Sequence, residues 1–354
     1  MNKLVNNLVN IPPYNIHPIL TRLWSEFHMA SQLTPQVSPG TAKHNSLYYM
    51  IPKQVQTWIN NNPMHLQVFD LQVHHRTYHL HFYTQSESDD INTYIHKINT
   101  WLSVASKYAE SRCSKQVNVH LYLTPLKKQL PKSKQQDIDE EHANTAFTSS
   151  CAPNTEIILF REEEWFKVFI HESFHNMGLD FSEHYNQTKG QQMLSSMFYI
   201  QSKFKLYEVY CEMWAELINV LINTPLNQVA PAIQMERKFS VFQAAKILDF
   251  YGLNYEDLYD DSASTYKENT EVFCYYVLKS ILMYNCNTFL DWIIKEQNGS
   301  LQFHAKKVEK FIKDLIVPFY KQDEYIATIN HTQTYFDVPR NTYIGTTMRM
   351  SYLH

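Results

Sequence analysis

The chain has 354 residues, enough for one large or two medium domains around a sizeable core. Only 6 glycines, with no Gly-x-Gly-x-x-Gly or Gly-x-x-x-x-Gly-Lys pattern, argue against a loop that cradles phosphate. Lys plus Arg (31) nearly balances Asp plus Glu (35), a net charge of -4, so no global field attracts nucleic acid or an anionic membrane.

In chain order, residues 1–14 carry one Lys and no apolar stretch, so no signal peptide is expected. Ile16–Met29 has helical spacing and runs into the loop Pro35–Gly40. Residues 65–84 alternate: Leu66, Val68, Leu71 and Val73, then Tyr78, Leu80 and Phe82. That pattern predicts a β-hairpin turning near His74–Arg76. Its histidines, His74, His75, His79 and His81, are expected at exposed strand positions rather than in a second metal site. Ser88–Glu110 reads as a helix and Val117–Leu123 as a strand. Pro125–His142 reads as a polar surface loop, and Thr145–Ser150 and Thr155–Phe160 as two short strands. From Glu162 to about residue 320 the pattern is mostly helical, and the tail 321–354 reads as irregular or β. The expected fold class is α+β: a small mixed sheet, then a motif-bearing helix, then a mostly helical C-terminal half. Four segments follow: 1–62, 63–178, 179–320 and 321–354. The five cysteines, Cys113, Cys151, Cys211, Cys274 and Cys286, contain no Cys-x-x-Cys pair. Reduced thiols in an intracellular, cytoplasmic protein are expected, and no apolar run is long enough to predict a membrane span.

The chemistry concentrates in residues 162–178. Glu162, Glu163 and Glu164 suit the start of a helix, where the dipole favours negative charge, and Gly178 suits its end. Within it, His171-Glu172-Ser173-Phe174-His175 places two imidazoles four residues apart on one helix face. Such a pair can bind one Zn²⁺, with Glu172 beside it as general base for a water molecule. Phe166, Phe169, Ile170 and Phe174 supply the apolar anchor. Downstream, Glu208, Glu212 and Glu216 stack four apart on a second helix beside Trp214, Leu217 and Val220. A solvated acidic stripe is the bland reading of that stack. A set of positive partners facing it is the sharper one.

These residues resemble the gluzincins, the thermolysin- and aminopeptidase-like zinc peptidases, over about 162–216. The segment Cys211-Glu-Met-Trp-Ala-Glu216 is similar to their second helix. The resemblance implies a zincin-like fold, one zinc per chain, Glu212 as third ligand and Glu216 as the carboxylate orienting a ligand histidine, with Glu208 as the competing ligand. The stretch from His175 to Glu212 is longer than in the best-known members. No His-x-x-Gly-x-x-His extension marks a metzincin. The run Phe160–Glu172 also resembles uncharacterised zincin-like proteins of large DNA viruses. The substrate implied is a peptide or protein, with no nucleic acid or membrane partner. A non-peptidase zinc protein and a structural or interaction protein are the rival readings.

Four tyrosines, Tyr275, Tyr276, Tyr335 and Tyr343, and His331 are candidates for stabilising a developing oxyanion. Arg340 and Arg349 could hold a substrate carboxylate, which would make the enzyme a carboxypeptidase. Thr155–Phe160 is a candidate edge strand for pairing with an extended substrate.

Overall fold

A computed structural model describes residues 2–87, 90–184, 187–260, 266–336 and 342–353. Alternating apolar residues build a 6-stranded mixed sheet in the order β1-β2-β3-β4-β6-β5. The strands are β1 (Gln36–Pro39), β2 (His65–Val73), β3 (Arg76–Thr84), β4 (Gln116–Tyr122), β5 (Ala146–Thr148) and β6 (Asn154–Leu159). The predicted hairpin is present: β2 and β3 pair antiparallel from His65 opposite Thr84 to Val73 opposite Arg76. His74 takes a left-handed turn conformation, φ 54. A crossover helix, Ile91–Ala105, then returns the chain so that β4 lies parallel to β3, as parallel neighbours require. The predicted start of that helix, Ser88, lies outside the described residues.

Thr155–Phe160 was expected as an edge strand, and the structure corrects this. β6 is interior, parallel to β4 on one side, and the short antiparallel β5 forms the edge. The residues of β6 after Asn154 are all buried, which suits an interior position.

Both faces of the sheet are covered. Leu80, Phe82, Val119, Leu121 and Leu159 join the main core, and Tyr122 and Ile158 pack with Ile51 and Val55 on the other side. This double cover corrects the reading of the histidine-rich hairpin in part: His74 and His75 are exposed as expected, while His79 and His81 are not. His81 is fully buried and stacked on His120 at 4.3 Å, and its Nε2 accepts from the Lys43 N–H at 2.8 Å. His79 pairs with Asp70 at 2.7 Å. The main core runs from Val5 to Met350, so all four segments marked out in the sequence share it.

Two further expectations change. The Pro125–His142 loop is polar but not all surface: Lys128 is fully buried against Glu164, and its carbonyl accepts from the Met348 N–H at 3.1 Å. The tail is not mainly β. It holds a helix, Asp323–Gln333, and a short helical turn, Tyr343–Thr346, before an irregular buried end. Cys113 and Cys151 form a disulfide with Cα atoms 4.9 Å apart, which corrects the expectation of five reduced thiols. Cys211, Cys274 and Cys286 are free and buried. The paired cysteines lie 38 residues apart and meet because they precede β4 and β6, which are neighbours in the sheet. No helix among the described residues is long and apolar enough to cross a membrane.

Candidate metal centre

The motif helix, Trp165–Asn176, begins just after β6 and lies against β5 and β6. Phe169, Ile170 and Phe174 are fully buried, and Trp101 of the crossover helix stacks on Phe174 at 5.7 Å. Burial of each such side chain contributes about 1.5–3 kcal/mol, which holds the helix in place against its polar face. The helix stops at Gly178, φ +67, with the Leu179 N–H donating to the Phe174 carbonyl at 2.9 Å. A Cβ at Gly178 would stand 3.0 Å from Cys113 Sγ, so both conformation and space select glycine.

The three acids before the helix do not cap it. Glu164 takes φ 59 with no side-chain capping bond. Its carboxylate instead accepts the N–H groups of Met350 (3.0 Å) and Ser351 (2.6 Å) and pairs with Lys128. Burial pushes the Glu164 carboxyl up, and Lys128 and Lys167 outweigh it, holding it down at about 2. Glu163 accepts from the Lys128 N–H at 2.7 Å and from Tyr343 Oη at 2.8 Å.

A second helix, Leu206–Asn223, packs across the motif helix and presents the glutamate stack to it. Nε2 of His171 and Nε2 of His175 are 3.2 Å apart. Glu208 Oε2 lies 3.0 Å from the first and 3.4 Å from the second. Behind each imidazole stands another carboxylate: Glu212 Oε2 is 2.9 Å from His171 Nδ1, and Asp180 Oδ2 is 2.6 Å from His175 Nδ1. An Nδ1–H donated to a carboxylate leaves Nε2 with its lone pair for a cation.

Glu208, not Glu212, converges with the histidines. Glu212 faces the opposite edge of His171 and also holds Lys167 Nζ at 2.5 Å, so it orients a histidine instead of sharing its target. Glu216, expected to orient a histidine, does not. It is fully buried against Lys279. Each glutamate of the stack therefore has a positive or imidazole partner, and none is a solvated stripe.

The donor set fits a metal ion. Tetrahedral zinc with arms of about 2.0–2.1 Å places its ligands about 3.3 Å apart. The separations of 3.0, 3.2 and 3.4 Å bracket that value. Charge agrees. Without a metal, burial pushes His171 down, but Glu208 and Glu212 outweigh it and lift it to about 9. His175 is likewise raised against burial, by Cys211, Glu208 and Asp180. Burial would raise Glu208, and His175 and His171 hold it well below the usual carboxylate range. The site therefore attracts positive charge, which protons supply when no cation does.

A raised folded value means that the His171 proton stabilises the metal-free fold fully below the ordinary 6.5, and that this contribution is lost as pH rises through about 9. The melting temperature of metal-free protein is expected to fall across that window. Zinc-loaded protein, with the metal in place of the titrating proton on Nε2, should stay nearly flat. Equal slopes in thermal melts of the two forms would remove this account.

Glu172 is buried beside the pair, and its carboxylate makes no hydrogen bond among the described residues. Burial raises it, and the two histidines only partly offset this. A cleft of about 320 Å³ opens here, lined by His171, Glu172, His175 and Glu208 and bordered by Ala146, Phe147 and Thr148 of the edge strand β5.

The remaining candidates divide. Tyr275 is at the site: its Oη donates to Glu208 Oε2 at 3.3 Å, and its ring meets His171 edge-on at 6.0 Å. Tyr276 is not, because its Oη donates to the Met348 carbonyl at 2.5 Å. Tyr335 packs against Phe242 and Phe336 away from the cleft, Tyr343 bonds Glu163, and His331 stands exposed on the Asp323–Gln333 helix. Arg349 is buried and donates to the Tyr352 and Leu353 carbonyls, so it faces the tail and not the cleft. Arg340 lies outside the described residues. Sequence reasoning missed Asp180, Lys167 and Tyr207, whose ring lines the cleft and meets His175 edge-on at 5.9 Å. Asp180, two residues past the helix-stopping Gly178, carried a readable signal, an acid five residues after His175. The structure thus defines a mixed α/β protein with a buried two-histidine, one-glutamate cluster beside a cleft. No family model, curated protein or solved structure matches the chain.

Proposed function

We propose that the chain is a zinc-dependent peptidase with a zincin-like arrangement, in which His171, His175 and Glu208 hold one zinc ion. The observation that carries this reading is the convergence of those three donors at zinc-ligand spacing beside an unpaired Glu172. Zinc held there supplies Lewis acidity and lowers the pKa of water. Glu172 takes a proton from the attacking water and passes it to the leaving amine. Burial raises its carboxyl, which strengthens it as a proton acceptor. Tyr275, with its hydroxyl on Glu208, is the group placed to donate to the carbonyl oxygen of the scissile bond. The free edge of β5 offers backbone groups for strand addition by an extended peptide. A closed structural zinc site uses four protein ligands. Three donors next to a cleft favour a catalytic one.

Metal analysis tests the reading. Wild-type protein is expected to carry one zinc per chain, and His171→Ala and Glu208→Ala to carry almost none. Glu212→Gln should keep zinc with affinity reduced about 10–100-fold, the usual cost of losing a partner behind a ligand histidine. Wild-type protein that binds no zinc after add-back would sink the proposal. Zinc lost from Glu212→Gln but not from Glu208→Ala would reverse the ligand assignment.

A further inference from the structure

A second cavity, of about 30 Å³, adjoins the cleft one turn before His171. It shares His171, Glu172 and Tyr275 with the cleft, and Thr145, Lys167, Val168, Glu212 and Met350 are among its other lining residues. Met350 comes from the C-terminal segment and is held at three points, the first its carbonyl, which accepts from Lys279 Nζ at 3.1 Å. Its N–H donates to Glu164 at 3.0 Å, and its Sδ lies 3.6 Å from Lys167 Nζ. Lys167 also pairs with Glu212, so the sulfur is anchored to the network that orients His171. Thr145 is 3% exposed, and its hydroxyl has no hydrogen-bond partner among the described residues.

A water molecule needs roughly 10–15 Å³ of such space, so this cavity takes about one or two heavy atoms. A substrate side chain beside the scissile bond enters it only if it is that small. A larger one must displace Met350, whose backbone and sulfur are both engaged. Resting on the peptidase reading, we propose that Met350 is a specificity-determining residue. It restricts the position next to the scissile bond to glycine, alanine or serine. The unpartnered Thr145 hydroxyl favours serine among them.

The test uses zinc-loaded full-length protein and hydroxamates bearing hydrogen, methyl, hydroxymethyl, isobutyl or benzyl beside the metal-binding group. Dissociation constants are read by calorimetry, with zinc content measured on the same samples. Wild-type protein is expected to bind the small members at least about tenfold more tightly than the benzyl compound. Met350→Ala should shrink or reverse that ratio. Met350→Val should give an intermediate ratio and serves if the alanine variant does not fold. Met350→Leu, close to it in volume, should keep the wild-type ratio. Zinc-loaded wild-type protein that binds the benzyl compound as tightly as the methyl one overturns the role of Met350 and leaves the metal site standing. So does an unchanged ratio in Met350→Ala. Protein that holds no zinc overturns the peptidase reading, and this inference with it.

Discussion

Glu172→Gln is expected to hold zinc as the parent does and to lose about 10²–10⁴-fold in kcat/KM on any peptide the parent cleaves. The amide is nearly the same size and shape, and Glu172 bonds to no protein group among the described residues, so the fold has nothing to lose. What disappears is the proton acceptor. The carboxyl is raised by burial, and His171 and His175 beside it partly offset that rise. Assay of the zinc-loaded variant against the parent, with metal content measured on the same samples, decides the matter. A variant with full activity would remove Glu172 from the reaction. A variant that loses its zinc would make Glu172 a structural residue of the site.

The largest expected change in stability lies behind the site. Lys279→Met is expected to destabilise the protein by about 3–5 kcal/mol, read as a shift in urea unfolding. Lys279 and Glu216 are both fully buried, and the ammonium also donates to the Met350 carbonyl at 3.1 Å. Removing the lysine strands a carboxylate in the core, where one of its oxygens already lacks a hydrogen bond. The double variant Glu216→Leu, Lys279→Met removes both charges and should recover most of the loss, because the pair had to be desolvated to form. Acid should also narrow the deficit of the single variant, since Glu216 can then take a proton. A single variant as stable as wild type would show that water reaches this pair.

Much of this was legible in the sequence because it is local. Period-two alternation gave the β2–β3 hairpin, and the four-residue spacing of His171 and His175 gave one helix face. The expectation that Glu208, Glu212 and Glu216 must face something positive also holds, with His171, Lys167 and Lys279 as partners. The choice between Glu208 and Glu212 was not legible. It depends on how far one helix slides along another, and a one-turn offset leaves the sequence pattern unchanged. Tyr275 and Tyr276 were indistinguishable for a related reason. They sit in a π-helical turn, Phe273–Leu278, which shifts the register that ordinary helical spacing assumes. Lys128 and His81 read as surface residues because burial of a polar side chain depends on distant partners: Glu164 and Lys43.

The contact between Glu164 and Met350 spans 186 residues of chain. Glu236 similarly receives the N–H groups of Tyr352 (2.6 Å) and Leu353 (2.8 Å). Both acids are buried by a segment far from them in sequence, and contacts of such long separation are expected to form late. Closing so long a loop is slow, and it brings no reward until the final contact is made. The N-terminal end of the motif helix therefore stays wet until late in folding. In kinetic terms, the pocket beside Glu172 is among the last parts of the molecule to exist, so a partly folded chain has the histidine motif without a finished site to use it.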